Sequence, residues 1–255
     1  MKKSDRVLVE ILVAAPIDVV WRALRDPQEI QRWFGWDYEG LADEIKFIFG
    51  RAEATDADYT LSAPGMPDRY VLEPNGSHTI VRLIRSAPVT DQSWNGIYDD
   101  IVEGWLTFTQ QLRFMLERHA GTDRRSLYLS GRAKAAGVAL PAEALGLLSL
   151  MSVPVGGRYT ITMDVGDGLE GDVWFRSAYQ IGLTADGYGD GLIIIGTRPM
   201  TNASPHGGGF ALITTYGFDT PTFAGMHDRW SAWWHKHYEV LEIQPTLQDS
   251  RSATS

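Results

Sequence analysis

Six histidines, two acidic clusters, several glycine runs and two arginines set in apolar stretches are the places where this chain could do chemistry. His227, His235 and His237 lie close together, but His235 and His237 would point to opposite sides of an α-helix, whereas a helical zinc site needs ligands at i and i+4. His227 and His235 stand about two helical turns apart, too far to share one ion. Asp37, Glu39, Asp43 and Glu44, and separately Asp99, Asp100 and Glu103, have the composition of a calcium or acid–base site. Neither group has the spacing of a calcium loop, and such runs read as solvated faces. The Gly207-Gly208-Gly209 run has neither the lysine nor the following helix of a phosphate loop, and Gly187-Tyr188-Gly189-Asp190-Gly191 is a turn, not a dinucleotide fingerprint. No G-x-S-x-G nucleophile elbow occurs. With no cysteine, thiolate catalysis, disulfides and iron–sulfur clusters are excluded, so no metal and no cofactor is expected. Arg82 and Arg198 interrupt apolar runs. Turned into a cavity, either guanidinium would hold a carboxylate bidentately; turned outward, each is a wet-face residue.

Nine Trp, ten Tyr and nine Phe are the strongest remaining feature, because sites for apolar ligands are concave and aromatic-lined. Packing of a core is the commoner cause of such a stripe. The chain has 255 residues, 44% hydrophobic and 22% charged, the composition of a globular protein of one to two domains at roughly 150 residues each. Its 32 acidic against 23 basic residues give a net charge of −9, which repels phosphate backbones and anionic lipid, so neither nucleic acid nor membrane is expected as a partner. Lys2 and Lys3 before an apolar stretch copy the outline of a signal peptide, but Glu10 interrupts it. Val7, Val9, Ile11 and Val13 alternate as a half-buried strand does, and the expected location is cytoplasmic.

The elements that would position these residues follow from periodicity. Pro16 opens a short helix with Trp21 and Leu24 inward, and Asp26-Pro27 stops it and starts another in which Ile30, Trp33 and Phe34 share a face up to Gly35. Strands are expected at 45–49, 70–73 and 79–85, the last two joined through Pro74-Asn75-Gly76. Over 98–118 the period becomes helical, with Tyr98, Ile101, Val102, Trp105, Phe108, Leu112, Met115 and Leu116 on one face. The second half has a strand at 127–133, an apolar helix at 141–151, strands at 158–164, 172–184, 191–198 and 210–218, and a helix from Thr220 carrying Phe223, Met226, Trp230, Trp233, Trp234, His237 and Leu241. An offset of 125 residues lays Trp230 on Trp105, Phe223 on Tyr98, Trp233 on Phe108 and Leu241 on Leu116, which reads as two repeats of one fold.

Residues Val9-Glu10-Ile11-Leu12-Val13-Ala14-Ala15-Pro16-Ile17-Asp18-Val19-Val20-Trp21, running into Ile30-Gln31-Arg32-Trp33-Phe34, resemble the opening of the SRPBCC (START-like) superfamily. Tyr98-Asp99-Asp100-Ile101-Val102-Glu103-Gly104-Trp105 is similar to the last helix of its branch named after the activator of heat-shock-protein-90 ATPase homologues. The resemblance implies an α+β helix-grip fold, an antiparallel β-sheet wrapped around a long C-terminal helix with an apolar cavity between them. Through the internal repeat that fold is expected twice, at 1–120 and, divergent, at 126–243, with a linker at 121–125 and a flexible tail at 244–255. The segment 50–68 is shorter and less apolar than is usual for the family's central strands, and no Trp-Phe-Gly signature follows Pro141.

Three functions fit these observations. The leading expectation is binding of a small hydrophobic molecule without catalysis, lined by Trp33, Phe34, Arg82, Trp105, Phe108 and Leu112 in the first repeat. In the second, Phe175, Tyr179, Arg198, Trp230, Trp233 and Trp234 would line it, with alternation over 173–183 putting Phe175 and Tyr179 on one face. The others are a protein-interaction module, with a protein as partner, and a polyketide cyclase-like enzyme, which would need polar groups converging in the cavity.

Overall fold

The computed structural model describes residues 4–62, 67–87, 100–202 and 204–240, and the chain forms two compact units, Met1–Thr122 and Asp123–Ser255. Tyr98, Asp99, Leu241 and the tail expected at 244–255 lie outside the described residues. Each unit is α+β, with one antiparallel sheet and one long helix.

In unit 1, β1 (Ser4–Val13) is followed by α1 (Ile17–Ala23), α2 (Pro27–Gln31) and α3 (Leu41–Ile48). The strands β2 (Glu53–Thr55), β3 (Thr60–Ser62), β4 (Asp68–Asn75) and β5 (His78–Ala87) come next, and α4 (Asp100–Arg118) closes the unit. The sheet order is β1-β5-β4-β3-β2, so the first strand pairs with the last and the meander steps back from there. Asp26 caps α2 through the Gln28 N–H at 2.9 Å, with Pro27 at the first helical position.

The expected strand at 45–49 is instead the end of α3. Leu41, Ile45 and Ile48 are its buried residues, a spacing of i, i+4, i+7 that a window opening at Ile45 cannot reveal. The segment between α3 and β4 does contain strands, but each of them is only three residues long. Val9, Ile11, Val13, Tyr70, Leu72, Val81, Leu83, Leu112 and Met115 belong to one core, which places α4 against a single face of the sheet. Polar ties to that helix include three among the described residues. Gln111 donates to the Gly35 carbonyl at 3.1 Å, Glu117 accepts from the Ala14 N–H at 2.9 Å, and the hydroxyls of Tyr70 and Thr109 meet at 3.0 Å.

In unit 2, β6 (Arg124–Ala133) leads to a one-turn α5 (Pro141–Ala144), then β7 (Arg158–Thr162), β8 (Gly168–Arg176), β9 (Gln180–Ala185), β10 (Gly191–Arg198) and β11 (Gly208–Tyr216). The long helix α6 (Thr220–His237) precedes a short β12 (Tyr238–Val240). The sheet order is β12-β6-β11-β10-β9-β8-β7, again with the first strand beside the last of the meander. The helix expected over 141–151 breaks at Gly146, whose φ of +80° is left-handed, and continues as a 3₁₀ turn over Leu147–Ser152. The expected strand 172–184 is two strands. The helix expected to reach Leu241 stops at His237, where the chain turns into β12 and pairs with β6.

Two aspartates in the turn between β7 and β8 hold α6 down. Asp164 accepts from the Trp233 indole N–H at 2.8 Å. Asp167 accepts from the Trp230 indole at 3.1 Å, from Arg229 at 2.9 Å and from the Tyr188 hydroxyl. Trp230 is fully buried, so its N–H needs a partner, and this turn supplies it.

Two outcomes follow. Asp167→Ala leaves the Tyr188 hydroxyl and the Trp230 N–H with only each other, and should cost about 3 kcal/mol of stability by denaturant unfolding. A loss below ~0.5 kcal/mol would show that the turn does not hold the helix. Burial is the largest cause pushing the phenols of Tyr70, Tyr159 and Tyr188 above their usual 10.0. Folded values above the unfolded one mean that this contribution is complete below pH 10.0 and is lost as pH rises beyond it. The melting temperature should therefore fall between about pH 9 and about pH 11, with tyrosinate absorbance from these groups appearing only as the protein unfolds.

Candidate functional site

In unit 1 the sheet and α4 do not close completely. Phe49, Ala52, Leu61, Tyr70, Leu83 and Trp105 surround a cleft of about 20 Å³ beside the end of α3, space for roughly one water. Phe34 is the hub of the aromatic wall. Its ring centroid lies 5.1 Å from Phe49, 4.8 Å from Phe108 and 6.1 Å from Trp105, and Trp105 stands edge-on to Tyr70 at 5.8 Å. Trp33 backs this wall edge-on to Phe49 at 5.7 Å, fully buried, with its indole N–H donated to the Ala23 carbonyl at 2.9 Å. Burial is graded along α4. Leu112 and Met115 are fully buried, whereas Trp105, Leu106 and Phe108 are only half-buried, so the cleft lies under the less covered N-terminal half of the helix.

The polar groups at the cleft come from strand alternation. Asp68, Tyr70 and Leu72 point to the inner face of β4, while Arg69 and Val71 are less buried and alternate with them. Thr109 donates to the Trp105 carbonyl at 2.7 Å, which leaves the Tyr70 hydroxyl to donate to Thr109. Asp68, with 4% of its side chain exposed, accepts both arms of Arg85 at 2.7 and 2.8 Å. Asp68 and Arg85 are directly opposite each other in the β4–β5 pairing.

Trp33, Phe34, Trp105, Phe108 and Leu112 are thus brought together, but Arg82 is not among them. It lies between the inward Val81 and Leu83 and reaches Glu10 and Glu73 on the other face, each at 2.5 Å. Phe49, Tyr70, Asp68 and Arg85 were not expected at the site. The signal for the ion pair was present, because a hairpin with Gly76 and Ser77 at its tip pairs Asn75 with His78 and, counted outward, Asp68 with Arg85.

The residues expected to line unit 2 divide between the two faces of its sheet and the turn between β8 and β9. A bulge between Val173 and Phe175 shifts the β8–β9 pairing, so that Phe175 pairs with Gly182. A Cβ on Gly182 would meet the Phe175 ring at 2.3 Å, which places that ring on the face opposite Ile181 and Leu183, away from α6. Tyr179 lies in the turn between β8 and β9, where its N–H donates to the Ser177 hydroxyl at 3.2 Å. Arg198 shares the face of Phe210, also away from α6, and donates to Ser130 at 2.7 Å. Trp230, Trp233 and Trp234 do face the sheet, in one core with Leu145, Leu147 and Leu150, and the N–H groups of the first two are taken by the Asp164/Asp167 turn. Among the described residues no group of three His, Asp or Glu side chains could hold a metal ion, and no helix is long and apolar enough to cross a membrane.

No protein-family model matches the chain, and no curated protein does. Three solved structures are similar over most of its length. DynU16, from the dynemicin biosynthetic locus, is 15% identical with a TM-score of 0.31, covering 91% of this chain and 96% of that one. BexL, a di-domain ARO/CYC of the BE-7585A biosynthetic pathway, is 14% identical with a TM-score of 0.32, covering 96% and 100%. StfQ, a di-domain ARO/CYC of the steffimycin biosynthetic pathway, is 10% identical with a TM-score of 0.26, covering 89% and 94%.

Because Arg82 is an outer-face residue with screened partners, Arg82→Ala should change stability by less than about 1 kcal/mol in denaturant titration and leave ligand affinity unchanged. A tenfold or larger affinity loss would return it to the site.

Proposed function

We propose that the chain is a tandem pair of helix-grip modules and that unit 1 binds a small hydrophobic molecule in the cleft beneath α4. Three parallels between the units support the tandem reading. In each, the first strand pairs with the last of a meander, a helical insert follows the first strand, and a long helix after the meander shares a core with the sheet.

The binding reading rests on one observation, an aromatic wall around a gap that side chains leave open, with Trp105 and Phe108 half-buried beside it. Apolar surface left in such a gap is stabilised by an apolar occupant at about 25 cal/mol per Å² removed from water. At about 20 Å³ the cleft is in a closed form. A ligand of ring size enters by displacing the half-buried Trp105 and the N-terminal part of α4, where Gly104 weakens the helix. Binding is favoured over catalysis because the groups at hand are poorly placed to move protons. Burial raises the Tyr70 phenol far above neutrality, and Asp68 is engaged by Arg85 through both oxygens.

Ala52 lines the cleft, so the ring of Ala52→Phe should obstruct it, at an overpacking cost of about 1–3 kcal/mol that denaturant unfolding measures. Native mass spectrometry of the purified protein is expected to show an extra mass released on denaturation, absent from Ala52→Phe. Retention of the same mass by the variant would place the ligand elsewhere, and bare masses for both proteins, unchanged after soaking in toluene, would contradict the reading.

A further inference from the structure

Among the described residues one carboxylate lines the cleft, and it gives the cleft a chemical polarity. We propose that Asp68, held by Arg85, makes the cleft selective for an apolar molecule carrying a neutral hydrogen-bond donor such as a phenolic or alcoholic hydroxyl, and selective against carboxylates. The inference rests on the reading of the cleft as a ligand site and specifies what that ligand bears.

Asp68 borders the cleft beside Tyr70, Leu83 and Trp105, with 4% of its side chain exposed. An ionised carboxylate has about four lone-pair positions, and the two hydrogen bonds from Arg85 occupy two, so acceptor capacity remains. The Tyr70 hydroxyl offers no competing donor, since it is turned to Thr109. A ligand carboxylate can only accept hydrogen bonds, as Asp68 does, and among the described lining residues no guanidinium is turned toward it. Arg85 is bidentate on Asp68, and the Arg69 guanidinium points to the other face, where it binds Asp5 at 2.5 Å and Ser86 at 2.7 Å. A cationic ligand is disfavoured in turn, because Arg85 already neutralises the site and a second cation would be desolvated without compensation. A hydroxyl needs only one acceptor and carries no charge to desolvate. This reverses the role expected of an arginine in the cavity, since the polar group offered to the ligand is an acid.

Phenol, toluene and benzoate share one ring and differ in the polar group, so their affinities for the full-length protein, measured by ligand-observed NMR, separate the possibilities. Phenol should bind more tightly than toluene, and at least about tenfold more tightly than benzoate, as expected for one hydrogen bond to a charged acceptor. In Asp68→Asn, checked for folding by circular dichroism, the phenol-to-benzoate ratio should fall about tenfold or more. Equal affinities for the three probes would overturn this proposal while leaving ligand binding intact. An unchanged ratio in a folded Asp68→Asn variant would also overturn it. Failure of all three to bind would remove both this proposal and the reading beneath it. Should Asp68→Asn fail to fold, the order of the probes on the unaltered protein decides the matter.

Discussion

An antiparallel sheet that exposes an apolar face must have that face covered, and in both units one amphipathic helix from after the last meander strand does so. Where the helix is tied determines what the space beneath it can become. In unit 2 the β7–β8 turn catches α6 at Trp230 and Trp233, in the middle of the helix, and buried indole N–H groups make those ties costly to break. In unit 1, Gln111 and Glu117 tie the C-terminal half of α4, and Thr109 is the tie nearest its N-terminus among these. The turn of α4 that carries Trp105 packs through aromatic contacts with Phe34 and Tyr70, a kind of contact that can give way to another apolar surface.

Similar aromatic stripes on α4 and α6 differ in how far they are buried and in what their polar atoms bind. Trp105 and Phe108 on α4 have the same i, i+3 spacing as Trp230 and Trp233 on α6. The first pair is half-buried beside a cleft, and the second is buried with its polar handles used. Aromatic residues at helical spacing fix where a helix packs. The acceptors that the opposing loop offers, here Asp164 and Asp167, decide how firmly.

Much of this was legible from residue order. Alternation through Val7, Val9, Ile11 and Val13, the Asp26-Pro27 break, the hairpin and both long helices all appear as periodicity or turn chemistry suggests. What was not legible depended on one-residue events. The bulge after Val173 turns Phe175 to the opposite face, and left-handed Gly146 splits an apolar helix; neither changes hydrophobic composition. The short apolar run Ile45 to Phe49 fits strand and helix alike, and only Leu41 ahead of it shows the helical spacing of α3. In the site, the aromatic wall was visible as a stripe, and Arg82 could have been placed outward from its position between Val81 and Leu83. The Asp68–Arg85 pair needed the register of the hairpin, in which residues far apart in sequence become direct neighbours.

Ligand entry beneath the N-terminal half of α4, as proposed, requires that half to yield more readily than the half that carries Gln111 and Glu117. Amide hydrogen exchange along α4, with and without toluene-saturated buffer, tests it directly. The account predicts faster exchange over 104–108 than over 111–118, and slowing of the faster segment when toluene fills the cleft. Uniform protection along the helix, unchanged by toluene, would contradict it.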